Sequence, residues 1–241
     1  MGKLNGGGAD SGGGSSAYPG WVGYIEYDDE TGEAIAADYS GLEMDGAVPD
    51  SLKFDKIKFR GDWKGSIGKF TDGTIMFMSC SNLTSFNGDL SSLTNGTQMF
   101  NGCLNLTSFN GDLSSLTNGS NMFQNCDNLT SFSADLPSLT NGSNMFGLCD
   151  NLTSFSVDLS SLTNGEHMFT SSPLDATSIE KILLSIPTYS DGTTHNLGLG
   201  VSLEQAGDKF TEITGATLNP KPGSYITVAF KGWQINAYSY R

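Results

Sequence analysis

Cys80, Cys103, Cys126 and Cys149 are evenly spaced, and everything between them recurs with the same 23-residue period. Tandem copies of one unit turn each residue into a column, so the chain is constrained to a quasi-one-dimensional stack. The unit reads C-x-N-L-T-S-F-x-x-D-L-x-S-L-T-N-G-x-x-M-F-x-x and holds through residues 80–172. At the end a fifth cysteine is due, and Ser172 stands in its place. No copy this short buries enough apolar surface to fold alone, so neighbours must stabilise one another.

Local signals within the unit agree with one another. Leu83-Thr-Ser-Phe86 suits a short strand with Leu83 and Phe86 turned inward around a bend. Asp89 is placed to N-cap a helix of one to two turns over residues 90–94. Asn95-Gly96 would end that helix, with glycine in the left-handed conformation. A second turn then presents Met99 and Phe100 inward. The expected core columns are Leu83, Phe86, Leu90, Leu93, Met99, Phe100 and Cys103, with their equivalents in each later copy. The fold class predicted is a repeat solenoid, each 23-residue coil carrying a short strand and a short helix. An N-terminal β-rich module and an α+β C-terminal cap are expected to flank it.

Four segments follow. Residues 1–17 hold seven glycines and three serines and read as a flexible tether, or as an anchor that orders against a partner. Residues 18–69 form a β-rich N-terminal cap module, with a hairpin over 21–27 and 33–39 around the turn at Asp28-Asp-Glu-Thr-Gly32. A degenerate coil is expected there too, because Trp63 falls one period before Phe86. Residues 70–172 are the repeats, beginning with the matching Thr71-Asp-Gly73 and Met76-Phe77. In residues 173–241, Asp175 or Thr177 caps a helix through Ile179, Ile182, Leu183 and Ile186, stopped by Pro187. A strand near 195–200, a second helix from about Ser202 and an alternating strand over 224–236 complete the module.

Charge excludes some partners. The net charge is −14, and residues 80–172 contain seven acids and neither Lys nor Arg. Such a surface repels phosphate backbones and anionic lipid heads, so neither nucleic acid nor a membrane surface is an expected partner. Membrane insertion is not expected, since no run of about 18 apolar residues occurs. The N-terminal residues lack the apolar core of a secretory signal, and Gly6 stands where a myristoylation site needs Ser or Thr. The chain as it stands is therefore expected to stay in the cytosol or to leave without a cleaved signal.

Candidate sites are few. The cysteine column reads as buried free thiols filling one niche per coil, because side chains in a column point the same way and C-x2-C zinc spacing is absent. Asp89, Asp112, Asp135 and Asp158 could hold calcium between coils, but capping accounts for them without an ion. Seven N-x-S/T sequons are copies of the unit itself, and Arg60-Gly-Asp62 is a chance tripeptide. The column Thr84, Thr107, Thr130 and Thr153 lacks the second row of an ice-binding plane. Glu166-His167 has neither nucleophile nor orienting partner, so no catalytic, metal or cofactor site is expected. Variation between copies singles out Gln98, Asn121, Asn144 and His167 as candidate contact positions. The aromatic ends add Tyr18, Trp21, Tyr24, Tyr238 and Tyr240, since Tyr and Trp dominate protein and sugar contacts.

The unit M-F-x-x-C-x-x-L-x-x-F, with an L-x-x-L pair in every copy, resembles the BspA-type leucine-rich repeat over roughly residues 70–172. Thr194-His-Asn-Leu-Gly-Leu-Gly200 and Lys231-Gly-Trp233 look like the C-terminal caps of such repeats in proteins of gut anaerobes and their phages. The resemblance implies a non-enzymatic surface protein. A phage virion surface component, assembled in the host cytoplasm, is expected from it. Residues 1–17 would contact virion structural proteins, and the repeats a host surface protein or glycan. Homo-oligomerisation is compatible with that role. A bacterial cell-surface adhesin whose signal peptide has been removed is the alternative.

Overall fold

The computed structural model describes residues 2–5, 24–27, 34–38, 43–47, 61–63, 69–81, 83–202, 206–218 and 224–240. The first five segments and residues 69, 70 and 240 are described as backbone only. Tyr18, Trp21 and the side chains of Tyr24 and Tyr240 lie outside the described residues.

At the N-terminus, β1 (Gly2–Asn5), β2 (Tyr24–Tyr27) and β3 (Ala34–Asp38) form an antiparallel sheet, with β2 and β3 as the expected hairpin. Part of the glycine-rich leader is therefore a strand: Gly2 lies opposite Tyr27 and Asn5 opposite Tyr24. Parallel pairing begins next. β4 (Glu43–Ala47) pairs with β6 (Lys69–Asp72), and β5 (Gly61–Trp63) pairs with β7 (Leu83–Phe86). Trp63 sits opposite Phe86, as the degenerate coil requires.

The repeats continue this parallel arrangement with almost no regular secondary structure. Among the described residues after β6, the repeats hold four strands, β7, β8 (Ser108–Phe109), β9 (Ser131–Phe132) and β10 (Ser154–Phe155), and the β7–β8 and β9–β10 pairings join residues one coil apart. The helix expected over residues 90–94 does not form. Leu93 N donates to Leu90 O, closing a single β-turn, and Thr94 N and Asn95 N both leave the coil to reach Thr71 O. Those outward bonds take the amides that a helix would have used. A five-residue helix has too few internal bonds to compete.

Asn95-Gly96 also differs from expectation, since Gly96 is absent from the positive-φ residues. A Cβ there would lie 2.8 Å from Met122 Sδ of the next coil, and Gly119 and Gly142 meet Met145 and Met168 in the same way. Glycine is present so that the next methionine can pack over it. The left-handed positions lie elsewhere. Ile75, Gln98, Asn121, Asn144 and His167 form one such column, and Ser79, Gly102, Asn125, Leu148 and Ser171 another. Between them, Gly96, Gln98, Phe100 and Gly102 send their amides to Asn118, Ser120, Met122 and Gln124 of the next coil. Met99, Asn101 and Cys103 close turns onto Gly96, Gln98 and Phe100 within their own coil. The alternating backbone aims every second N–H along the stack, which satisfies the donors of a segment that is neither helix nor strand.

The predicted apolar columns form the core, at 3 % exposure or less except for half-buried Phe109. Phe77, Phe100, Phe123, Phe146 and Phe169 stack with ring centroids 5.2–5.5 Å apart. Phe86, Phe109, Phe132 and Phe155 form a second column beside them, and the two columns meet edge to face. Offset and T-shaped contacts are the favourable aromatic geometries, so the rings bind coil to coil as well as filling volume.

After the repeats come α1 (Ala176–Ser185), β11 (His195–Ser202), α2 (Gly207–Thr214), β12 (Tyr225–Phe230) and β13 (Trp233–Tyr240). Asp175 caps α1 by accepting from Ser178 N at 2.8 Å. The single strand expected over 224–236 is two strands, with Phe230 opposite Trp233. Lys231 and Gly232 both take positive φ, which makes a tight hairpin turn. The second helix starts at Gly207, later than expected. The sheet order is β11-β13-β12, and β11 stacks on the last coil through Gly165–Leu197 and Leu174–Val201 bridges. Gly198 and Gly200 permit this approach. A Cβ on Gly198 would sit 2.6 Å from His167 Cα, and one on Gly200 would overlap the Ser172 carbonyl.

Candidate functional site

Each coil puts its polar groups into ladders along the stack. Asn118, Asn141 and Asn164 donate from Nδ2 to Oδ1 of the asparagine one coil earlier, at 3.2, 3.0 and 3.1 Å. The same Oδ1 atoms accept the amide two residues on, so Asn95, Asn118, Asn141 and Asn164 each close a turn. Beside them, Thr94, Thr117, Thr140 and Thr163 donate to the preceding threonine carbonyl at 3.0 Å. The sequence alone reads Asn95-Gly96 as a helix terminator, with Thr94 inside the helix, and shows neither ladder. Their signal was the strict recurrence of a side-chain amide where a turn alone would tolerate several residues.

His195-Asn196 takes the next place in this series. His195 Nδ1 meets Thr163 O at 2.9 Å, and Gly165 N donates to Asn196 O. The imidazole stacks on Tyr189 at 3.6 Å, while Nε2 contacts Thr193 Oγ1 at 2.7 Å and Asp191 Oδ2 at 3.1 Å. The bond to the Thr163 carbonyl, then Asp191, holds the imidazolium and raises the His195 pKa. Asp191 is lowered to about 2, first by the Thr193 amide and hydroxyl and then by His195. On the strand side, α1 ends the series: Ser178 Oγ accepts from Phe155 N and Ser185 Oγ from Leu159 N.

The cysteines are free and buried. Cys103, Cys126 and Cys149 donate to the carbonyls of Phe77, Phe100 and Phe123 at 3.2, 3.3 and 3.1 Å. Burial pushes the Cys103 and Cys126 thiols well up, and Cys149 up to about 12, so none is a nucleophile near neutral pH. Asp89, Asp112 and Asp158 cap turns, not helices, by accepting from Ser91 N, Ser114 N and Ser160 N. After Asp135 the equivalent residue is Pro137, which has no N–H.

Gln98, Asn121, Asn144 and His167, singled out for their variability, prove to be one of the two left-handed columns. The first three are half-buried, and His167 is exposed with Glu166 3.9 Å away. Asn121 and Asn144 donate to Ser120 and Ser143. The structure thus aligns these four as one ridge. Tyr238, half-buried in β13, is on the C-terminal sheet and not beside them. An open cleft of about 580 Å³ lies between Val157-Asp158 and α1, lined also by Thr177, Lys181 and Leu184. Lys181 Nζ spans to Ser156 Oγ at 2.5 Å. Among the described residues, no helix is long and apolar enough to cross a membrane.

Comparison with known proteins accords with this geometry. The BspA type leucine rich repeat region matches in six copies over residues 73–196. The match runs past the expected end at 172 and stops at Asn196, where the turn-side pairing with the last coil is made. No curated protein and no solved structure matches the sequence. The chain belongs to the BspA-type leucine-rich repeat family.

Proposed function

We propose that the chain is a non-enzymatic display and adhesion protein of a virion surface. Residues 1–17 would join it to the particle, and the ridge through Gln98, Asn121, Asn144 and His167 would face a host protein or glycan. A single observation carries the contact role: one backbone geometry recurs at these four positions while the side chain runs Gln, Asn, Asn, His. Ladder and core columns leave little freedom to vary, so variation gathers where it alters only the surface. The repeats already imply a protein-interaction or adhesive role. On a bacterial cell surface the same stack would act as an adhesin.

Affinity capture from the source lysate, by the full-length protein and by a version lacking residues 1–17, separates these settings. A thermal melt must first show that losing β1 leaves the repeats folded. Recovery of virion proteins by the full-length protein only supports the anchored particle protein. Equal recovery of envelope proteins or glycans by both versions supports the adhesin. Substituting glycine along the ridge, which keeps its left-handed backbone, should weaken either capture while the melt stays cooperative.

A further inference from the structure

Seven Asn-Gly dipeptides occur within residues 80–172, and the structure sorts them into two environments. In Asn-Gly, the glycine amide nitrogen can attack the asparagine Cγ. The new N–C bond forms as the bond from Cγ to Nδ2 breaks and ammonia leaves. Water then opens the succinimide to aspartate or isoaspartate. Asparagine is thermolabile for this reason, and glycine, lacking Cβ, obstructs the attack least.

Five of the seven are held. Gly96, Gly119, Gly142 and Gly165 donate their amides to the next layer at 2.8–2.9 Å. The preceding asparagines are tied into the side-chain ladder. Asn101 is only 9 % exposed, donates to Gln124 Oε1, and is followed by Gly102 donating to Gln124 O. Both the nucleophile and the leaving amide are therefore engaged.

Asn87-Gly88 and Asn110-Gly111 differ. Both asparagines are exposed, and among the described residues neither glycine amide finds a comparable acceptor. Asn110 Nδ2 is engaged with Asn87 Oδ1 at 3.2 Å, whereas Asn87 serves there only as acceptor. The next two coils carry Ser133-Ala134 and Ser156-Val157 at these positions. We propose that Asn87-Gly88 is a deamidation site of the folded protein, that Asn110-Gly111 follows it, and that the five remaining dipeptides are protected by the stack. A carboxylate at position 87 still accepts from Asn110, so the first event leaves the coil pairing intact and adds charge beside Asp89.

The test is peptide mapping by mass spectrometry of the full-length protein aged at pH 8 and 37 °C, folded and in urea. In the folded protein, Asn87 should convert faster than Asn118 and Asn141 by about tenfold or more, because those two react only through local opening. In urea the rates should converge. Asn87→Ser, with an unchanged melt, should abolish the fast event. Ladder asparagines keeping pace in the folded protein would overturn the proposal, as would an Asn87 that converts in urea but not when folded.

Discussion

The Ser172 hydroxyl donates to the Phe146 carbonyl at 2.6 Å across the boundary between two coils. In earlier coils a cysteine makes this bond, so the serine completes the column rather than ending it. What recurs is a small buried donor aimed at one carbonyl. Cys126→Ser should therefore fold with little loss. Cys126→Ala, which leaves the Phe100 carbonyl with only the Cys103 amide, should cost about 0.5–1.5 kcal/mol by urea melts. Thiol titration should find Cys103, Cys126 and Cys149 silent in the native protein. Because the Cys149 pKa is raised from 9.0 to about 12, its contribution to stability is full below pH 9 and is lost as pH rises towards 12.

The left-handed column sets a rule for substitution. Ile75 has φ 56°, a conformation in which a β-branched residue is strained and asparagine is tolerated. Ile75→Asn should stabilise the protein, and Asn121→Ile should destabilise it, each by about 1–2 kcal/mol in thermal melts. Equal melts for both would mean that the column carries no strain.

The asparagine ladder is directional. Asn118 donates to both Asn95 Oδ1 and Thr97 Oγ1, so an acceptor-only group cannot replace it. Asn118→Asp should lose about 1–3 kcal/mol, and the loss should shrink as the carboxyl is protonated at low pH. Urea melts at pH 7 and pH 3 give the comparison.

His195 and Asp191 make the C-terminal attachment pH-dependent. His195 is raised above 6.5, so its contribution is complete below pH 6.5 and is lost as pH rises through the folded value. Asp191 is lowered from 3.8 to about 2, so its contribution holds above pH 3.8 and is lost as pH falls through about 2. Asp191→Asn should move the His195 proton NMR titration back towards 6.5 and flatten the melting temperature across pH 6–8.

Gly200 fits against the Ser172 carbonyl with no room for a Cβ. Gly200→Ala should release β11 from the last coil, seen as faster hydrogen exchange at Gly165 N and Phe169 N. Their acceptors, Asn196 O and Gly198 O, belong to β11.

Much of this was legible because repetition turns a weak local signal into a column. The core columns followed directly, since Leu, Met, Phe and Cys recur where the interior must be filled. The helix was misjudged because Asp89 and Leu-x-x-Leu are also the residues of a capped turn, and only the neighbouring coil shows where the Thr94 amide goes. Gly96 looked like a left-handed terminator for the same reason, as its packing partner Met122 belongs to the following copy. Variability at Gln98, Asn121, Asn144 and His167 pointed to one ridge without revealing that its backbone is left-handed. Lys231-Gly232 sits within an alternating run, and only the pairing of Phe230 with Trp233 exposes it as a turn.

The most direct test of the account is removal of one coil. Deleting residues 104–126 joins Cys103 to Asp127 and leaves every column in register. The account predicts a cooperative melt with the remaining thiols protected, whereas a deletion one residue shorter should unfold or expose them. If the in-register deletion collapses, or if both deletions melt alike, the ladders and columns are not what holds the coils together.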